Sequence, residues 1–333
     1  MRYLRLLVSA ITALLFTVGM LMPVGCGAGS DAGDEGRATR EAQDVNGSRD
    51  SSGEGWQAAG YAFDSSRAMQ YIKQLSVGIG LRPAGSEGEA EAAAYIAGVF
   101  ADSDYEDIVE QAFPAVDDNI SRNIYVEDVG TRPEWVVIVG AHYDSAGGTG
   151  SPGANDNASG VGVILELARV FQDIDNVPTL LFVAFASEEI PEGYDEDEVG
   201  YGSDYMAEHL QEIEGEVIGM VNADMVGVGD ALDANATMEA PAILTWLFAT
   251  LTGIIGVDIT VVKDPGWSDN AVFEERGIPS LYIEWVTDLD YHSPGDSYDR
   301  IDEGLIVRSG CLLEGFLESM NADLCRMLEQ VQD

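Results

Sequence analysis

The stretch Trp135-Val136-Val137-Ile138-Val139-Gly140-Ala141-His142-Tyr143-Asp144-Ser145 decides how this chain reads. An apolar run without alternation, closed by polar residues, marks a strand buried on both faces. Comparable runs occupy 179–186, 217–223, 257–262 and 278–285. Between and after them, 158–171, 203–213, 241–253, 268–276 and 302–331 carry helical apolar spacing. Upstream, 65–75 and 87–100 read as helices, and 108–113 and 121–126 as strands that add an antiparallel side. Buried strands alternating with helices predict an α/β protein, a three-layer α/β/α sandwich with a mixed, mainly parallel central sheet. No repeat period is visible.

Polar and acidic residues follow three successive strands: His142 and Asp144, then Glu188 and Glu189, then Asp224. The carboxyl edge of an open α/β sheet is where ligands bind, so the spacing converges these groups on one crevice. The chain has three histidines. His209 lies within a predicted helix and reads as a surface residue, whereas His292 sits in Tyr291-His292-Ser293-Pro294-Gly295-Asp296. Taken singly, His142 reads as a structural imidazole, and Gly153-Ala154-Asn155-Asp156-Asn157-Ala158-Ser159-Gly160 as a helix N-cap. Adjacent carboxylates ending a buried apolar run are harder to accommodate, because they repel and are costly to desolvate. A cluster of that sign calls for a cation. Imidazoles with carboxylates and no thiolate fit zinc. His142, Asp156, Glu189, Asp224 and His292 bring three carboxylates, a charge that two Zn2+ ions with a hydroxide balance better than one ion does.

The 333 residues include 16 Lys+Arg against 59 Asp+Glu, a net charge of −43. A polyanion of this size repels phosphate backbones, which argues against nucleic-acid binding. Residues 1–25 read as a signal peptide, with Arg2 and Arg5 preceding an apolar run over 6–22. A membrane helix is the competing reading of that run. Pro23-Val24-Gly25-Cys26 resembles the lipobox of bacterial lipoproteins, with Cys26 as the lipidated residue. Residues 26–58, rich in Gly, Ser, Asp and Glu, form a flexible tether, and 59–333 the catalytic domain. The expected location is therefore exported, anchored by lipid to a bacterial cell envelope, or otherwise secreted or periplasmic. Cys311 and Cys325, on what reads as one continuous helix, stand about 21 Å apart and stay free unless that helix breaks near Asn321.

The ordered strings LRPAGS (81–86), GAHYDS (140–145), GANDNASG (153–160), the Glu188–Glu189 pair, NADM (222–225), Ser268-Asp269 and YHSPGDSYDRID (291–302) resemble the zinc aminopeptidases of metallopeptidase family M28. The resemblance covers about residues 65–310. It implies that His142 and Asp224 bind one zinc, Glu189 and His292 the other, and that Asp156 bridges them. It further implies that Asp144 orients His142 and Glu188 is the general base. Tyr291 would donate a hydrogen bond to the oxyanion, or simply pack beside the pocket. The peptide bond after the bridging Asp is often cis in this family, here Asp156–Asn157. Peptides with a free N-terminus are the implied substrates. The chain departs in carrying Asn270 where the family has His, and an acidic stretch over 191–199 whose Asp195, Glu196, Asp197 and Glu198 either form a solvated loop or favour a cationic substrate. Two alternatives stay open: a one-zinc enzyme like the glutaminyl cyclases, and a catalytically inactive surface binding module. The latter should lack a ligand or the base, and none is lacking.

Overall fold

The computed structural model describes residues 60–332 apart from 190, 192, 195–199, 239 and 255. The expected signal peptide, Cys26, the tether and the acidic positions 195–198 thus lie outside the described residues. The chain enters through helix α1 (Ser65–Lys73), which runs on into a wide π-turn (Gln74–Ile79), then α2 (Glu87–Asp102). Strands β1 (Val109–Pro114), β2 (Ile120–Asp128) and β3 (Trp135–His142) follow, then α3 (Gly160–Phe171) and β4 (Thr179–Phe185). Next come α4 (Gly202–Glu208), β5 (Glu216–Ala223), β6 (Ala231–Thr237), α5 (Ile243–Ile254) and β7 (Thr260–Asp264). The last elements are α6 (Asn270–Glu275), β8 (Ser280–Val286), α7 (Glu303–Glu318) and α8 (Ala322–Gln332).

The strands form one sheet in the order β1-β2-β4-β3-β5-β8-β6-β7. Its centre, β4-β3-β5-β8, is parallel throughout, while β1·β2, β2·β4 and β6·β8 pair antiparallel. β3 and β4 are buried at every residue, which is why their sequences run apolar without alternation. Successive side chains still go to opposite faces. Val137 and Val139 join the larger core with α1, α2, α3 and α7, while Val136 and Ile138 join a smaller one with Met206 of α4 and Phe273 of α6. The expected mixed α/β/α sandwich is the observed fold.

Three local expectations change. β6, ALDANAT, is built from residues with weak strand preference and was not expected as a strand; its place between β8 and β7 overrides propensity. The final helix is not continuous: α7 stops at Glu318, and the Asn321 side chain accepts the Asp323 and Leu324 N–H groups to start α8. Cys311 and Cys325, now on different helices, are both buried and free. His209 ends α4 half-buried, its ring stacked on Tyr205 at 4.1 Å, away from the other two histidines.

Two buried carboxyls tie loops to this frame. Glu314 of α7 accepts the Ala62 and Phe63 N–H groups at 2.7 and 2.9 Å, and Glu89 of α2 accepts the Ser121 hydroxyl at 2.6 Å and the Gly85 N–H at 2.8 Å. Burial raises both pKa values to about 7 from 4.5, helped by Asp144 near Glu89 and by Glu318 near Glu314. Between those limits the folded chain holds protons that the unfolded chain has released, so stability falls as pH rises through the window. Metal-free protein should therefore melt at a higher temperature at about pH 5 than at about pH 7.5, with a smaller difference in the Glu89→Gln/Glu314→Gln double variant. A midpoint that climbs with pH over that range would contradict the assignment.

Candidate metal centre

The three strands that end in acidic or imidazole groups are neighbours. His142 is the last residue of β3, Glu188 and Glu189 follow β4 on one side of it, and Asp224 follows β5 on the other. The chain leaves β3 toward β4 and returns on the far side at β5, so a crevice opens above β3. Into it project the irregular turn Ala154–Ser159, carrying Asp156, and the loop between β8 and α7, carrying Tyr291 and His292. Ser187, Met225 and His292 have φ of 59°, 52° and 51°. Left-handed backbone at non-glycine residues costs energy and recurs where a site imposes geometry; here it flanks or contains the converging groups. The Asp156–Asn157 peptide bond is cis.

The five expected ligands meet. His142 Nε2 lies 3.2 Å from Asp156 Oδ1 and 3.5 Å from Asp224 Oδ1. His292 Nε2 lies 2.8 Å from Glu189 Oε1 and 3.1 Å from Asp156 Oδ2. Asp156 thus turns one oxygen toward each imidazole, dividing the cluster into two half-sites. Glu188 stands over the first, 3.9 Å from His142 Nε2. Asp144 Oδ1 is 3.4 Å from His142 Nδ1, but its hydrogen bonds come from elsewhere: the Glu188 and Glu189 N–H groups donate to its two oxygens at 3.0 and 2.9 Å. It therefore holds the Glu pair as well as facing the imidazole. Tyr291, half-exposed, stacks on the His292 ring at 3.7 Å.

Do these residues suit a cation? Buried polar atoms normally find partners, yet His142 Nδ1, Asp156 Oδ2 and Asp224 Oδ1 make no hydrogen bond. Burial would lower the His142 pKa, but Glu188, Asp144, Asp156 and Asp224 together push it well above the usual imidazole value. Burial raises Glu189 to about 8 with Asp156 adding, and raises Glu188 as well, with Glu189 adding. Protein charges alone leave the Glu188 and Glu189 carboxylates disfavoured, a repulsion that a divalent metal at this cluster would relieve. Two imidazoles and three carboxylates are the donor types that zinc accepts.

Comparison with known proteins meets this geometry. The profile of Peptidase family M28 matches residues 123–316. The chain belongs to this family. The uncharacterized protein YfbL of Escherichia coli K12 is 32% identical over 219 residues, covering 54% of this chain and 65% of that protein. Aminopeptidase YwaD of Bacillus subtilis is 34% identical over 192 residues, covering 54% of this chain and 39% of that protein. The chain therefore spans less than two thirds of the length of either relative. Among solved structures, the Bacillus subtilis zinc aminopeptidase BSAP aligns with TM-score 0.66 at 20% identity over 76% of this chain and 94% of that one. A Tannerella forsythia glutaminyl cyclase aligns equally well, TM-score 0.66 at 21% identity over 78% and 99%. Those two likenesses show a shared fold.

In this M28 member the ligand loops are braced by residues that spacing alone did not single out. Asp296 accepts the Asn155 and Asp156 N–H groups at 2.7 and 3.2 Å, clamping the Asp156 turn to the His292 loop. The Asn157 amide donates to the Ala223 carbonyl at 2.9 Å, and the Ser268 hydroxyl to Asp224 Oδ2 at 2.6 Å. Gly160 fits because a Cβ there would stand 2.0 Å from the Ala223 carbonyl oxygen. Arg82, of the LRPAGS string, is wholly buried and donates to five carbonyls: Tyr143 (2.7 Å), Leu75 (3.0 Å), Gly80 (2.6 Å), Pro152 (2.7 Å) and Gly153 (2.9 Å). Its guanidinium joins the segment after β3 to the turn that bears Asp156. The hint in sequence was an arginine beside a proline in an otherwise cation-poor chain, which did not say what it held.

Arg82→Met leaves those carbonyls unsatisfied and should cost at least ~3 kcal/mol. Thermal unfolding of the metal-loaded variant should show that loss, together with faster release of metal to a chelator. Unchanged melting and metal retention would refute the bracing role.

Proposed function

We propose that this chain is a zinc aminopeptidase that removes N-terminal residues from peptides using two zinc ions. The observation that carries the reading is Asp156 placed between the two imidazoles, one oxygen to each. His142 and Asp224 would hold one zinc, Glu189 and His292 the other, with Asp156 shared. When bound, zinc supplies Lewis-acid polarisation of the scissile carbonyl and makes water acidic enough to attack near neutral pH. Glu188 is the group left over once the ligands are assigned. It stands partly open to the cavity, within 3.9 Å of a ligand imidazole, where a carboxylate can take a proton from an attacking water. As general base Glu188 accepts a proton from the attacking water, and it then delivers that proton to the departing amine. Asp144 fixes the direction of Glu188 through its backbone N–H. Tyr291, on the cavity wall, offers a hydroxyl to the developing oxyanion. The two-half-site arrangement favours peptide hydrolysis over one-zinc cyclisation of N-terminal glutamine. Export with a lipid anchor at Cys26 belongs to the same reading.

Glu188→Gln should keep its zinc and lose at least ~10²-fold in kcat on aminoacyl amides. Asp156→Ala should instead lose zinc from both half-sites, measured by elemental analysis after gel filtration. Near-normal turnover in the first variant would remove Glu188 from the mechanism. A single zinc in the wild type, with ammonia released from N-terminal glutamine peptides, would replace the peptidase by a cyclase.

A further inference from the structure

The cavity beside the metal-ligand cluster has a volume of about 530 Å3. Six carboxyl side chains among the described residues line it: Asp156, Glu188, Glu189, Asp224, Glu284 and Asp288. Five are already employed. Three are assigned to metal and Glu188 to proton transfer, while Asp288 is paired with Arg300 at 2.6 Å. Glu284 alone among them has no cationic partner among the described residues.

Its position is set by the sheet. β8 lies beside β5, and the Asp224 N–H donates to the Ile283 carbonyl, so Glu284 is one strand over from a metal ligand at the same level of the edge. The Tyr282 hydroxyl and the Asn235 amide both donate to Glu284 Oε1, at 2.8 and 3.2 Å. These two bonds fix the carboxylate while the residue stays on the cavity wall. Aromatic residues complete the enclosure: Trp267, Tyr282, Trp285 and Tyr291, rings whose faces attract cations. No lysine or arginine lines the cavity.

Resting on the aminopeptidase reading, we infer that this cavity receives the side chain of the substrate's first residue, and that Glu284 selects a cationic one, lysine or arginine. A peptide whose scissile carbonyl sits at the metal ligands directs its first side chain into this neighbouring space. The aliphatic stem of lysine or arginine then packs among the rings, and its charged end meets Glu284.

The test compares aminoacyl 4-nitroanilides of lysine, arginine, norleucine and glutamate on the zinc-loaded wild type and on Glu284→Gln, whose side-chain oxygen can keep both bonds. The wild type should favour lysine and arginine over norleucine by about tenfold or more in kcat/KM, and the variant should lose about that factor of preference. Calorimetry with lysinol and norleucinol, which lack a scissile amide, reads the cavity without turnover and should show the same loss. Cleavage of all substrates without a cationic preference, or an equal decline on all of them in the variant, overturns the role of Glu284 and leaves the peptidase reading intact. Turnover of none, with lysinol binding no tighter than norleucinol, overturns both.

Discussion

Unbalanced negative charge at the carboxyl edge of a buried sheet is the constraint on which this structure turns. Carboxylates and imidazoles from five separated segments are held within hydrogen-bonding distance of one another, in places where water is largely excluded. Protein groups alone cannot relieve that repulsion, because the imidazoles would need protons and several carboxyls would need to keep theirs. Divalent cations resolve both demands at once. The fold supplies the rigid frame: β4, β3 and β5 are adjacent and parallel, so the segments leaving them cannot drift apart without breaking the sheet.

A second layer of uncharged or dispersed interactions keeps the charged layer in place. Arg82 spreads its charge over backbone carbonyls and forms no carboxylate pair among the described residues. Asp296, Asn157 and Ser268 hold the ligand-bearing turns through backbone groups and single hydroxyl contacts. This division has a physical logic. A cationic side chain aimed directly at the ligand carboxylates would compete with metal, whereas bonds to the backbone fix the ligands and leave their lone pairs available.

Much of this architecture was legible in the sequence, for reasons that can be stated. Doubly covered parallel strands must be apolar at every position, so WVVIVGAH and TLLFVAF announced themselves, and the polar residues after them marked the edge where ligands gather. β6 did not: 232–237 alternate apolar with polar residues, but Ala, Asp and Asn have weak strand preference and the segment depends on its neighbours for pairing. The break between α7 and α8 falls at Asn321, where the sequence allowed for one, but a continuous helix was expected because Asn321 interrupts the pattern without disturbing its apolar spacing. All five expected ligands converge as their spacing implied. Glu284 was invisible for the opposite reason: one acidic residue inside an apolar strand carries no spacing pattern, and only the pairing of β8 with β5 and β6 shows which group it stands beside.

The proposed sharing of Asp156 by two metal ions can be observed directly. A crystal of the zinc-loaded protein, measured with X-rays just above and just below the zinc absorption edge, locates the metal without reference to activity. Two anomalous peaks should appear at the carboxyl edge of the sheet, one between His142 and Asp224 and one between Glu189 and His292, with Asp156 reaching both. A single peak, or peaks bound by other side chains, would contradict it.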